Sequence, residues 1–168
     1  GAGVDAAPTS APTTTLSAIA PLAELPGSIA ISGTPDLGIL LPTGEEVWAA
    51  PADTLFSQPA WSRDGTRSIF FNYDPLVAGS GQIYSVDAES GIWTTTEARR
   101  PYFFFSPSYG GDFFAALGPG ASGTTLDILD STGQPASDQS LHAGSFYLAW
   151  EPDGNDLLLH RDATLELA

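Results

Sequence analysis

The chain has 168 residues, 42% hydrophobic and 11% aromatic, with 18 glycines, 14 prolines and no cysteine. This is enough apolar material for one domain with its own core; it excludes disulfides and thiol nucleophiles, and no apolar run approaches the roughly 20 residues of a membrane-spanning helix. Twenty acids against five arginines leave a net charge of −15, a surface that repels DNA, RNA and anionic lipid and so excludes nucleic acid as a partner.

Residues 1–26 read GAGVDAAPTSAPTTTLSAIAPLAELP. Ala, Pro, Thr and Ser dominate, and such a segment buries too little apolar surface to offset its ordering entropy. Its prolines keep it semi-extended. The composition is that of a stalk holding an extracellular domain off a membrane. A secreted, periplasmic or surface-anchored protein is therefore expected, with 1–26 as stalk or flexible terminus and 27–168 as the folded domain. The stretch from Leu16 to Leu25 is apolar enough to dock on that domain. The first residue is Gly1 and no methionine occurs, the expectation for a processed or trimmed product.

The rest of the chain repeats itself. LGILLPTGEEVW (Leu37–Trp48) is an apolar run, a turn and a second run. PAWSRDGT (Pro59–Thr66) follows, then SIFFNY (Ser68–Tyr73), QIYSVD (Gln82–Asp87) and a turn ending in Gly91. A middle copy opens with FFSPSYGG, continues with DFFAALG and TLDILD, and turns at Gly133. A last copy opens with LAWEPDGN (Leu148–Asn155), then DLLLH and TLEL. Aligned on Trp61, Phe105 and Trp150, the copies step by 44 and 45 residues; Gly44, Gly91 and Gly133 step by 47 and 42. The runs are short and rich in β-branched and aromatic residues, and none has helical spacing. A unit of four short strands repeating every 40–45 residues is the sequence sign of a β-propeller blade.

The repeated motif then has a structural meaning. Asp64-Gly65 and Asp153-Gly154 supply the positive-φ turn between the first two strands. Trp61, Phe105 and Trp150 are expected to fill the gaps between adjacent blades. The fold expected is all-β, an array of about three to four four-stranded antiparallel blades. One partial blade spans Ser28–Ala50, two complete ones span Gln58–Thr96 and Tyr102–Ser137, and one stops in its third strand (Phe146–Ala168). Such an array leaves open strand edges. The expectation is a fragment of a longer reading frame, with edge pairing of two copies into a homodimer as the alternative.

PAWSRDGTRSIFFNYD…GQIYSVDAESG resembles the WD40-like (PD40-type) repeat of TolB-like propellers. Arg63 replaces the usual Pro of that motif, and Glu151 the usual Ser of the last copy. The resemblance implies an extracytoplasmic disc for protein–protein contact. Related blades also form the propeller of prolyl-oligopeptidase-type hydrolases, whose catalytic domain would lie outside this chain. The motif specifies a blade and carries no site residue with it.

In a four-stranded meander the second turn and the links between blades share one face. Here that face is read as 72–81, 50–57, 97–101 and 135–145, carrying Asp53, Tyr73, Asp74, Arg99, Arg100 and His142. Binding groups favour such loops, and Arg and Tyr favour contact hot spots. Arg99, Arg100 and Tyr102, with Tyr73, Asp74 and His142, are therefore the candidate partner-binding residues; the alternative is that the two arginines neutralise nearby acids. His160 falls in a strand and is read as packed or channel-lining.

Catalysis finds little support. There is no Gly-x-Ser-x-Gly elbow and no lysine for a phosphate-binding loop, and Glu45 and Glu46 point to opposite faces of a strand-like run. No second histidine accompanies His142 at ligand spacing, and no Asp-x-Asp-x-Asp-Gly loop appears. No enzyme activity, metal or cofactor is expected. The function expected is a non-enzymatic protein-binding module, with a hydrolase propeller or a glycan-binding propeller using the aromatics of 102–105 as alternatives.

Overall fold

The structure is a computed structural model and describes residues 27–32, 37–48, 55–56, 59–73, 81–121, 123–143, 147–152, 156–161 and 164–167. The expected stalk, 1–26, lies outside the described residues, as do Asp53, Asp74, Asp153 and Gly154.

The described residues hold fifteen strands and no helix, in four antiparallel sheets that follow one another along the chain. The first blade is β1 (Ile29–Ser32), β2 (Leu37–Leu40) and β3 (Glu46–Trp48). The second has its inner strand in two pieces, β4 (Leu55–Phe56) and β5 (Ala60–Trp61), then β6 (Arg67–Tyr73), β7 (Gly81–Asp87) and β8 (Trp93–Glu97). The third is β9 (Phe104–Pro107), β10 (Phe113–Gly120), β11 (Gly123–Asp130) and β12 (Leu141–Ala143). The fourth is β13 (Leu148–Trp150), β14 (Leu157–Arg161) and β15 (Thr164–Leu167). Both pieces β4 and β5 pair with β6; Pro59, just before β5, has no N–H to give to a ladder.

The strands of the second and third blades send alternate side chains to the sheets on either side, and this builds the core. Leu37, Ile39 and Leu41 of the first blade meet Phe70, Tyr84 and Val86 of the second. Ile69, Phe71 and Ile83 leave the opposite face of the second blade to meet Phe105, Phe114, Ala116 and Leu129 of the third. Ala115, Leu117 and Leu126 then meet Trp150, Leu157 and Leu159 of the fourth. Consecutive four-stranded meanders stacked face to face in chain order are β-propeller blades. Two are complete among the described residues; the first shows its three outer strands and the fourth its three inner ones.

The expected wedges sit in these gaps. Trp61 packs into the first core and Trp150 into the third, where its indole Nε1 donates to the Ser106 carbonyl across the gap at 3.0 Å. The middle copy needs a correction. Ser62 N donates to Arg67 O, and Ser108 N to Phe113 O; Ser62 Oγ and Ser108 Oγ accept from the same two residues' amides. Ser108, not Ser106, is thus the counterpart of Ser62, and Pro107 stands at the tryptophan position. The turn glycine is Gly111, at φ +80°, matching Gly65 at +72°. Phe105 still fills the second core because a shift of two residues along a strand returns to the same face.

Two further boundaries differ from the sequence reading. The third blade does not end at Ser137: β12 adds an outer strand on β11, with His142 opposite Thr125. His142 is therefore a strand residue, not a loop residue. Leu55–Phe56, read as a link, extend the inner strand of the second blade.

The turns between third and fourth strands carry Gly44, Gly91 and Gly133, all at positive φ. A Cβ on Gly133 would stand 2.6 Å from Ile83 Cγ2 on the preceding blade, whereas one on Gly44 meets nothing within 4 Å. Gly44→Ala is expected to cost about 1 kcal/mol from backbone conformation alone. Gly133→Ala adds a clash in the interblade core and is expected to cost about 2–3 kcal/mol. Urea midpoints of the two variants check the difference, and equal losses would mean that the turn does not bear on the neighbouring blade.

Candidate functional site

The strongest polar constellation among the described residues lies where the second blade hands over to the third. After β8 the chain crosses in residues 98–103, tied by Ala98 N to the Gly81 carbonyl at 3.0 Å and by Phe103 N to the Leu117 carbonyl at 2.9 Å. It passes close over β10, where a Cβ on Gly118 would stand 2.8 Å from the Pro101 carbonyl. Glycine there makes room for the link.

This path turns Tyr102 inward. It is 2% exposed, in edge contact with Phe71 and tilted against Phe105. Its hydroxyl donates to Asp127 Oδ2 at 2.7 Å. Asp127 is 1% exposed, on the same face of β11 as Leu129. A bare carboxylate there would be costly, and three groups meet it. Besides Tyr102, Ser140 Oγ donates to Asp127 Oδ1, and Arg100 Nε lies 2.8 Å from Oδ2. The Arg100 Nε has no aligned hydrogen bond despite that distance, so the contact is an ion pair. Arg100 also donates to Ser140 Oγ at 2.9 Å and to the Pro119 carbonyl at 3.4 Å.

Burial first, then the hydrogen bond to Asp127 and its charge, raise the Tyr102 hydroxyl well above its usual value. It stays a protonated donor and does not serve as a base at neutral pH. The cluster joins the blade link, β11 and the approach to β12. Its chemistry is that of a staple: among the described residues no group of three or more His, Cys, Asp or Glu is placed to hold a metal ion.

Arg99 points outward, donating to the Ser137 carbonyl at 2.8 Å and pairing with Asp138 at 3.2 Å. Asp138 is fully exposed, so the pair contributes little to stability. The reading in which the two arginines meet nearby acids describes their observed contacts. Burial of Tyr102 and the Asp127 network engage Tyr102 and Arg100 within the chain. Tyr73 ends β6, opposite Gly81 and Leu55, far along the strand from Asp64. The structure thus brings Arg99, Arg100 and Tyr102 onto one link, while Asp74 falls outside the described residues.

Asp64 and Gly65 form the turn expected of them. Asp64 accepts from Ser62 Oγ at 2.6 Å and from Thr66 N at 3.1 Å, and the Ser62 bond is the main cause holding its carboxyl below the usual range. Ser90 does the same for Asp87 in the next turn, helped by Arg67. The first-turn face is also knit between blades: the Arg63 guanidinium lies 3.8 Å over the Tyr109 ring, a cation–π contact.

Sequence reasoning missed Asp127 and Ser140. A signal existed for Asp127, an acid inside the apolar run TLDILD, but an exposed strand position explains such an acid equally well. The exposed aromatic pair is a second feature. Phe103 and Phe104, at the entrance to β9, are 51% and 47% exposed.

No family model matches the chain, and no curated protein matches it. Among solved structures it is similar to the β-propeller domain of the Trilobed protease from Pyrococcus furiosus, described as having an open velcro topology, at 13% identity and a TM-score of 0.49. The match covers 83% of this chain and 52% of that one, so the chain spans about half the length of that structure.

Proposed function

We propose that the chain is a non-enzymatic, extracytoplasmic interaction module of the TolB-like propeller type, and that it binds a protein partner at the link between its second and third blades. The observation behind this reading is the pair Phe103 and Phe104, about half exposed beside Arg99 and Arg100. Exposed aromatics next to arginine are the composition of contact hot spots. The link is held by the Asp127 staple and the Phe103–Leu117 hydrogen bond, so these side chains are offered from a fixed backbone, which lowers the ordering cost of binding. The Ala/Pro/Thr-rich composition of 1–26 supports a stalk that carries such a module outside the cytoplasm.

The test is capture of surface proteins from the source cells, with the wild-type chain and with a Phe103→Ala/Phe104→Ala variant whose urea midpoint is first shown to be unchanged. Loss of two aromatic anchors is expected to weaken capture at least 10-fold. Undiminished capture sinks the reading. Binding of a glycan in place of a protein, lost in the same variant, replaces it with the glycan-binding one.

A further inference from the structure

The outer strand of a blade keeps one side of its main chain outside the ladder. Among the described residues the outer strands are β3, β8 and β12. β3 and β12 have three residues each, whereas β8 has five. Shortness guards the first two. β8 carries no proline, no lysine and no bulge in its register with β7, the devices that blunt such an edge. Its centre, Thr94-Thr95-Thr96, is β-branched throughout, and Thr94 and Thr95 are exposed. The strand belongs to a blade stacked on both sides, so further blades at either end of the array would not reach this edge.

The ladder shows which residues face outward. Asp87 N donates to the Ile92 carbonyl and Ala98 N to the Gly81 carbonyl. With the register between β7 and β8, the inward-bonded residues are therefore Ile92, Thr94, Thr96 and Ala98. Trp93, Thr95 and Glu97 turn their N–H and C=O groups away from β7, and among the described residues no strand meets them.

We propose that this edge pairs with the same edge of a second copy of the chain, antiparallel about a two-fold axis at Thr95, so that the two second blades form one continuous sheet. The strand is its own complement in that register. Thr95 meets Thr95, Thr94 meets Thr96, and Trp93 meets Glu97, so all three outward-facing residues of one copy find those of the other. Moving the axis by one residue leaves Trp93 or Glu97 facing a residue outside the strand. Cross-strand threonine pairs are favourable and like charges directly opposite are not; here the two Glu97 carboxylates lie at opposite ends of the contact. Ile92, 68% exposed, comes opposite Ala98 of the second copy. The contact is isologous and therefore closed. One strand edge is small, below about 1,200 Å², which places the dimer among transient ones. Each copy carries a charge of −15, so the association is expected to tighten as salt screens the repulsion. The surface differs from the Phe103–Phe104 pair, so failure here leaves the proposed function standing.

Single cysteines report a transient contact well, since the chain has none. Thr95→Cys places two cysteines on the axis with Cα atoms about 5.5 Å apart, within reach of a disulfide. Under mild oxidation it is expected to form a covalent dimer about 10-fold faster, or more, than Ala121→Cys, an exposed position away from the edge. Thr95→Lys and Thr95→Glu each set like charges against each other at the axis. Each alone is expected to sediment as a monomer at concentrations where the wild type dimerises, and a one-to-one mixture is expected to dimerise again. Equal cross-linking by the two cysteine variants overturns the proposal and leaves the edge to an extended segment of another protein. A wild-type dimer that both charged variants retain places the contact elsewhere and overturns it too. Failure of the mixture to dimerise overturns the two-fold at Thr95.

Discussion

Asp127→Ala is expected to destabilise the domain by about 3–5 kcal/mol, the cost of removing one partner from a buried charged cluster. The loss is not that of a single contact. Arg100 would keep its charge with no carboxylate beside it, and the buried Tyr102 hydroxyl, 2.7 Å from Asp127 Oδ2 in the native chain, would lose its acceptor. Tyr102→Phe is the milder control. It removes one donor and leaves Arg100 and Ser140 on the carboxylate, so about 1–2 kcal/mol is expected. The two variants also separate by pH. The folded-state value of Tyr102 is raised, so its contribution is fully present below the unfolded value near 10 and is lost as pH rises through the folded one. Wild-type stability should fall above pH 10, and Tyr102→Phe should flatten that fall. Urea midpoints measured from pH 8 upward decide it. A loss under 1 kcal/mol for Asp127→Ala would mean that water reaches the site and that the cluster is no staple.

Trp150→Ala is expected to cost a similar 3–5 kcal/mol, but with its effect confined to one end. The indole fills the gap between third and fourth blades and its Nε1 bonds the Ser106 carbonyl at 3.0 Å, so both a cavity and an orphaned acceptor follow its removal. Amide exchange should locate the damage. Protection in β14 should collapse, while protection in β6 and β7, two blades away, should stay near wild type. Equal loss in both regions would show that the four blades open as one unit.

The sequence already carried most of the architecture, because a blade is specified locally. Asp64-Gly65 and the glycines at 44, 91 and 133 are turn chemistry that needs no tertiary information, and period-two alternation in SIFFNY and QIYSVD names the faces. The middle copy was harder to read. FFSPSYGG offers Ser106-Pro107 as the motif, yet hydrogen bonding chooses Ser108, whose Oγ accepts from the amide five residues on as Ser62 Oγ does. β12 was invisible because its short run LHA follows a Pro/Ser/Asp-rich stretch that reads as loop. The polar cluster was half legible. Two adjacent arginines in a chain of net charge −15 drew notice, but nothing in one dimension shows that the partner is Asp127, on a strand of the following blade.

Among the described residues each core cluster draws on two consecutive sheets and no others. Stability in such an array is a sum over neighbours, and this sets what kind of genetic change the molecule survives. A duplication or excision of one whole period replaces one stack by an equivalent one and leaves the remaining cores with their original pairs of sheets. An insertion of half a period would instead present the wrong strand faces to each other and forfeit a core. The same locality orders assembly during synthesis: every stack joins segments adjacent in the chain, so each can close as soon as its second sheet emerges, without waiting for distant residues.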